Sequence, residues 1–234
     1  KPGHRFPLRE SLAGFLGDVA TIFGGLWQAI GLRAVTAAFH NVSILAARGG
    51  VLHVQGETTG LPAAAQVRVE LRDVSGQGLR RAQQATSGGF RLGFDTRGLP
   101  RWGVGQPTLV QVVATVWAGG VCLARLERRV GLRDVAVVEA QTRLDARPLH
   151  LRGVLDWGWH AARLRPAPSR DELRQQFARA RSLGFNLVKL CLFVPDETTF
   201  DVADEEGMLL WLEMPLWLPK VTPELRALAL REYE

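Results

Sequence analysis

The sequence predicts a multidomain β plus α/β chain: an immunoglobulin-like β-sandwich, then parallel βα units. Three observations carry this. Strand-length runs separated by Gly, Pro, Asp or Ser clusters fill residues 38–143. From about residue 144 short, near-continuous apolar runs alternate with amphipathic helices, the pattern of a parallel sheet covered on both faces. Charged residues then collect where those apolar runs end: Asp156, then Asp196 and Glu197, then Glu213. Parallel sheets carry their chemistry at the carboxyl ends of the strands.

Residues 1–36 read as the end of a preceding domain. A polar start and a Gly-rich loop at Phe23-Gly24-Gly25 lead into one strand over 26–33. A single strand cannot bury a face by itself. Residues 12–32 are long and apolar enough to be weighed as a membrane span. Five glycines, Asp18 and the alternation over 27–33 favour a loop leading into a strand.

Residues 37–143 read as the sandwich, with strands over 39–46, 51–59, 66–72, 89–94, 108–117 and 121–130. Val67, Val69 and Leu71 alternate with Arg68, Glu70 and Arg72, as in a sheet with one wet face. Trp117-Ala118-Gly119-Gly120-Val121 closes a hairpin. Nothing in this region looks catalytic, and Arg125, Glu127 and Arg129 form a solvated face. Residues 133–145 read as the passage between domains.

Residues 144–234 follow the second pattern. A first apolar run over 148–154 closes in Arg152-Gly153. Ser169-Arg170-Asp171-Glu172 is a capping box opening a helix to about 183, with Leu173, Phe177, Ala180 and Leu183 on one face. Gly184 supplies its left-handed stop. Strands follow over 185–193 and 208–214, separated by a helix over 198–206 that Gly207 ends. Thr222-Pro223 opens a last helix with a cap residue and a proline at the first helical position.

Composition narrows the function classes. Lys and Arg number 29 against 23 Asp and Glu, a net charge of +6. The arginines are scattered and no nucleic-acid-binding motif appears, so a nucleic-acid partner is not expected. Nor is a membrane one. Cys122 and Cys191 lie in separate apolar strands and make no disulfide framework. His4, His40, His53, His150 and His160 are too dispersed for a metal constellation, and no cofactor motif appears. Lys1 is not an initiator Met, so the start of the natural chain is not assigned.

The strand ends supply the candidate substrate-binding residues: Asp156, Trp157, Lys189, Glu213 and Trp217. Each has a plainer reading. Glu213 can pair with Lys189 or Arg152 to order the rim, Asp156 can cap the loop after it, and Trp157, Trp159 and Trp217 can be core. Two carboxyls that act together as nucleophile and proton donor on one bond stand about 5–5.5 Å apart. Strands one and three of a sheet end roughly 10 Å apart, which argues against Asp156 and Glu213 as that pair.

Several stretches together resemble the family 2 glycoside hydrolases, the β-galactosidase, β-glucuronidase and β-mannosidase group. They are Phe23-Gly24-Gly25-Leu26-Trp27-Gln28, Val130-Gly131-Leu132-Arg133-Asp134, residues 144–153, Gly184-Phe185-Asn186-Leu187-Val188-Lys189 and residues 204–213. The resemblance implies that residues 1–36 end a sugar-binding jelly roll and 37–143 form the immunoglobulin-like domain. Residues 144–234 would then begin a (β/α)8 TIM barrel, incomplete in this chain. It implies a retaining β-glycoside hydrolase acting on a carbohydrate. The family's general acid follows an Asn at the end of the fourth barrel strand, and its nucleophile comes later. This chain has no Asn-Glu pair. No catalytic residue is therefore assigned within it, and the chain by itself is expected to be inactive.

The departures are specific. Leu155, Asp156, Trp157 and Gly158 stand where the family has Asn and His after Arg-Gly-Val. Lys189 and residues 190–195, with no His, stand where it has Arg and Ser-His-Tyr-Pro. Those family positions contact the sugar and, in some members, a metal, so neither is carried over. The rival class is a non-catalytic carbohydrate-binding or protein-interaction module with a Trp-rich rim. Three βα units also leave two open strand edges, from which self-association is expected.

Overall fold

A computed structural model describes residues 28, 30–47, 49–158, 160, 167–213 and 220–233. These fall into two compact units. One holds Ile30–Leu151 with Asp204–Met208, and the other holds described residues of Arg152–Ala203 and Leu209–Glu234, with Gln28.

The first unit is a two-sheet antiparallel sandwich. Its strands are β1 (Ala38–Ala47), β2 (Val51–Thr59), β3 (Gln66–Arg72), β4 (Gly78–Ala85), β5 (Gly89–Asp95), β6 (Leu109–Ala118) and β7 (Val121–Gly131). One sheet runs β1-β2-β5 and the other β4-β3-β6-β7. Strict period two does the work: Val67, Val69 and Leu71 of β3 and Phe90, Leu92 and Phe94 of β5 turn into one shared core. Each such side chain removed from water stabilises by about 1.5–3 kcal/mol.

Two departures from the sequence reading lie here. β4 was not expected, because Gly78–Ala85 carries Arg80, Arg81, Gln83 and Gln84 and shows no apolar alternation. It forms by pairing along β3 from Gln66↔Ala85 to Arg72↔Gly78. Residues 133–145 are not a plain passage. They build a meander of β8 (Val135–Val138), β9 (Gln141–Leu144) and β10 (Arg147–Pro148). Its two-residue turns, Glu139-Ala140 and Asp145-Ala146, take positive φ at both positions. That geometry normally advertises itself through Asn-Gly or Asp-Gly, and neither occurs here.

Trp102, 1% exposed, anchors the far end of this unit. Its Nε1 donates to the Asp204 carbonyl at 2.8 Å. The Arg133 guanidinium lies 4.3 Å from its ring centroid and pairs with Asp204 Oδ1 at 3.0 Å. Arg129 pairs with Glu205. Gly131 is required, since a Cβ there would stand 2.6 Å from the Trp102 Cγ.

The second unit contains a parallel sheet of β11 (Gly153–Asp156), β12 (Leu187–Leu190) and β13 (Leu209–Leu212), in that order. The first strand begins later than the apolar run over 148–154 suggested. Helices α1 (Arg170–Ser182), α2 (Glu197–Glu206) and α3 (Pro223–Tyr233) occupy the expected stretches. The capping box of α1 is present: Glu172 N donates to Ser169 Oγ at 3.3 Å and Ser169 N to Glu172 Oε2 at 2.6 Å. Leu173, Phe177 and Ala180 are its buried face.

Asn186 sews the three strands together. Its Oδ1 accepts the Arg152 amide at 2.8 Å, its own amide donates to the Arg152 carbonyl, and its carbonyl accepts the Leu209 amide. Of the expected strand over 26–33, residues 30–33 are irregular, and 26, 27 and 29, like the loop at 23–25 before them, lie outside the described residues.

Candidate functional site at the parallel strand ends

Parallel pairing in register fixes which side chains share a face. Leu155, Lys189 and Trp211 stand in one cross-strand row, and Asp156, Leu190 and Leu212 in the next. Successive residues of a strand point to opposite faces, so the two rows look opposite ways. Gln176 of α1 identifies the faces, since its Nε2 donates to Asp156 Oδ2 at 2.7 Å. Asp156 therefore faces the helix, and Lys189 faces away from it.

The Asp156 carboxylate is occupied. Besides Gln176, it accepts the Gly158 amide at Oδ1, 2.8 Å away, and so caps the loop that follows β11. Gly158 itself sits at φ +70, and a Cβ there would meet the Phe193 ring at 2.8 Å. Trp157 lies half-buried in that loop. Trp217 and Trp159 lie outside the described residues. Asp196 is a helix cap, its Oδ1 accepting the Thr199 amide at 3.3 Å.

Lys189 and Glu213 come together. Lys189 Nζ stands 3.3 Å from Glu213 Oε1 and 5.7 Å from the Trp211 ring centroid. The Cys191 thiol, then Lys189 and the Leu192 amide, hold the Glu213 carboxyl below the ordinary glutamate range, against an opposing push from burial. Glu213 Oε2 is buried and makes no hydrogen bond of ordinary geometry among the described residues. Thiol and amide thus act on it as neighbouring dipoles. Conversely, burial and then the Glu213 carboxylate push the Cys191 thiol up to about 11. Next to it Leu192 is held at φ +59, a region costly for a leucine.

This arrangement can do two things. It presents a carboxylate and an ammonium side by side, a donor and acceptor pair suited to a polyhydroxylated ligand. It also leaves an apolar shoulder in the same row, where Trp211 is 55% and Leu155 44% exposed. Sequence reasoning missed Trp211, Cys191 and Gln176. Trp211 was legible, because it lies two residues before Glu213 in a strand and so shares its face. Among the described residues no cluster suited to a metal ion occurs, and no helix is long and apolar enough to cross a membrane.

No protein-family model matches the chain, and no curated protein matches it. Solved structures do, among them bacterial β-glucuronidases. The chain is similar to the β-glucuronidase of Parabacteroides merdae, with a TM-score of 0.65 and 21% identity over 77% of this chain. It is also similar to the β-glucuronidase of Ruminococcus gnavus in complex with D-glucaro-d-lactam and with D-glucuronic acid. Both show a TM-score of 0.65 and 22% identity over 76% of this chain. The chain spans 24% of the Parabacteroides structure and 30% of the Ruminococcus ones. At this identity the likeness is one of fold.

Proposed function

We propose that this chain is the sandwich and the opening βα units of a retaining β-glycoside hydrolase of the family 2 type. The observation that carries the reading is the fold shared with β-glucuronidases over 77% of the chain. In this reading residues 1–36 end a jelly roll, 37–143 are the immunoglobulin-like domain and 144–234 begin a TIM barrel.

Lys189 and Glu213 touch the sugar, the ammonium donating to one hydroxyl and the carboxylate accepting from its neighbour. Glu213 is not the general acid. An acid must carry its proton near working pH, whereas the surroundings of Glu213 keep it ionised. Asp156 positions the loop bearing Trp157, and Trp157, Trp217 and Trp211 offer faces for sugar rings to stack on. The two catalytic carboxyls come from barrel strands beyond these three. The substrate is a β-glycoside, and no metal or cofactor is invoked.

The test is hydrolysis of a panel of nitrophenyl β-glycosides, the glucuronide included, by this chain alone and by the full product of its gene. Activity only in the full product supports the reading. Activity in this chain alone overturns the placement of the catalytic pair. Saturable sugar binding without hydrolysis by the full product favours a non-catalytic carbohydrate-binding module.

A further inference from the structure

On the outer face of the β1-β2-β5 sheet, we propose a separate binding groove for a neutral oligosaccharide. It is lined by Asn41, Gln55, Glu57 and Arg91, with Gly89 and the Gly56 backbone between them. The groove is a shallow, open depression of about 320 Å³.

The groove is a product of one irregularity. Pairing of β1 with β2 shifts between His40↔Glu57 and Ser43↔Gln55, so Asn41 and Val42 together oppose Gly56. Such a bulge bends its strand and re-aims a side chain. Asn41 takes φ +48 in it, a conformation that asparagine tolerates better than most residues. Only glycine fits opposite, since a Cβ on Gly56 would meet Val42 Cγ2 at 2.9 Å and the His40 carbonyl at 3.1 Å. On the outer face itself it is β5 that is cut down, because it turns Gly89 and Gly93 outward on either side of Arg91. The result is a trough with polar walls in a face that bulky side chains would otherwise fill.

The lining chemistry selects the ligand. Two amides, a carboxylate and a guanidinium supply donors and acceptors in planar pairs, matched to adjacent ring hydroxyls. Their charges cancel, so nothing here favours a charged polymer. Among the described residues the side chains of Asn41, Gln55, Glu57 and Arg91 make no hydrogen bond or ion pair. The opposite sheet behaves differently: on its outer face Glu70 pairs with Arg72 and Arg81, and Glu127 with Arg125. Glu70 and Glu127 are thus tied to arginines, whereas these four polar groups are left available around one depression.

The test is isothermal titration of the whole chain with cellohexaose, mannohexaose and xylohexaose. At least one should bind saturably. Gly89→Val should weaken it about tenfold, the loss of roughly 1.4 kcal/mol of binding. A Cβ at Gly89 meets nothing within 4 Å, and valine suits a strand, so the variant should fill the groove without unfolding the sandwich. Glu57→Ala, an exposed change, should act in the same direction, and Lys189→Ala should leave this binding intact. Three results would overturn the proposal: no binding of any probe, binding unmoved by Gly89→Val, or binding abolished by Lys189→Ala. The proposal does not rest on the glycosidase reading. Binding here beside a full gene product that hydrolyses nothing would sink that reading and leave this one standing.

Discussion

Lys189 Nζ stands 3.3 Å from Glu213 Oε1, so the ends of two adjacent parallel strands are joined by an ion pair about one-third exposed on each side. The Cys191 thiol and Lys189 hold the Glu213 carboxyl below its ordinary 4.5. A carboxyl whose folded value lies under its unfolded one stabilises fully above the unfolded value, and that contribution is lost as pH falls through the folded one. Melting curves of the wild type and Glu213→Gln should therefore differ most near neutrality and converge as pH falls through the lowered folded value. A gap that stays constant with pH contradicts the pairing. Lys189→Met should cost about 1 kcal/mol or less, because the pair is partly solvated.

Asn186, 6% exposed, gives its side-chain oxygen to the Arg152 amide. Asn186→Ala leaves that amide without its partner, at a cost of about 1–3 kcal/mol. Asn186→Asp keeps an acceptor at the same place and should recover part of the loss. Hydrogen exchange at the Arg152 amide reads the effect directly: faster exchange in the alanine variant is expected, and unchanged exchange contradicts the assignment.

Gly207 sits at φ +66, and a Cβ there would stand 2.6 Å from the Gly105 amide nitrogen. Gly119 also has positive φ, +55, but with nothing within 4 Å. Gly119→Ala should cost about 1–2 kcal/mol, the left-handed penalty alone. Gly207→Ala should cost more, since backbone must also shift. Equal losses in urea melts of the two variants would show that the close approach does not constrain the chain.

Cys191 is buried and Cys122 exposed. With its thiol pushed up to about 11, Cys191 carries little thiolate at neutral pH. Iodoacetamide should label Cys122 first in the native protein and Cys191 only after denaturation, as read by peptide mass. Early labelling of Cys191 contradicts both its burial and its pairing with Glu213.

Much of this was legible in the residues themselves. Ser169 and Glu172 announce the start of α1, Gly184 its end, and the alternation in β3 assigns each side chain to core or water. What escaped depends on partners distant in sequence. β4 is polar and exists because β3 offers an edge. The β8-β9 and β9-β10 turns put Glu139, Ala140, Asp145 and Ala146 at positive φ, where no turn signature marks them. Asp156 and Glu213 looked alike as strand-end carboxylates. Which face each uses depends on register and on Gln176, twenty residues after Asp156, and no local pattern encodes that. The bulge at Asn41 was equally silent until Gly56 was placed opposite it.

The proposed function places the chain in a retaining β-glycosidase. The most direct measurement is the anomeric configuration of the first sugar released from a nitrophenyl β-glycoside by the full gene product, followed by proton NMR. Retention requires the β-anomer to appear first, with the α-anomer growing in afterwards by mutarotation. The account predicts that order. The α-anomer appearing first, or no hydrolysis of any β-glycoside, would contradict it.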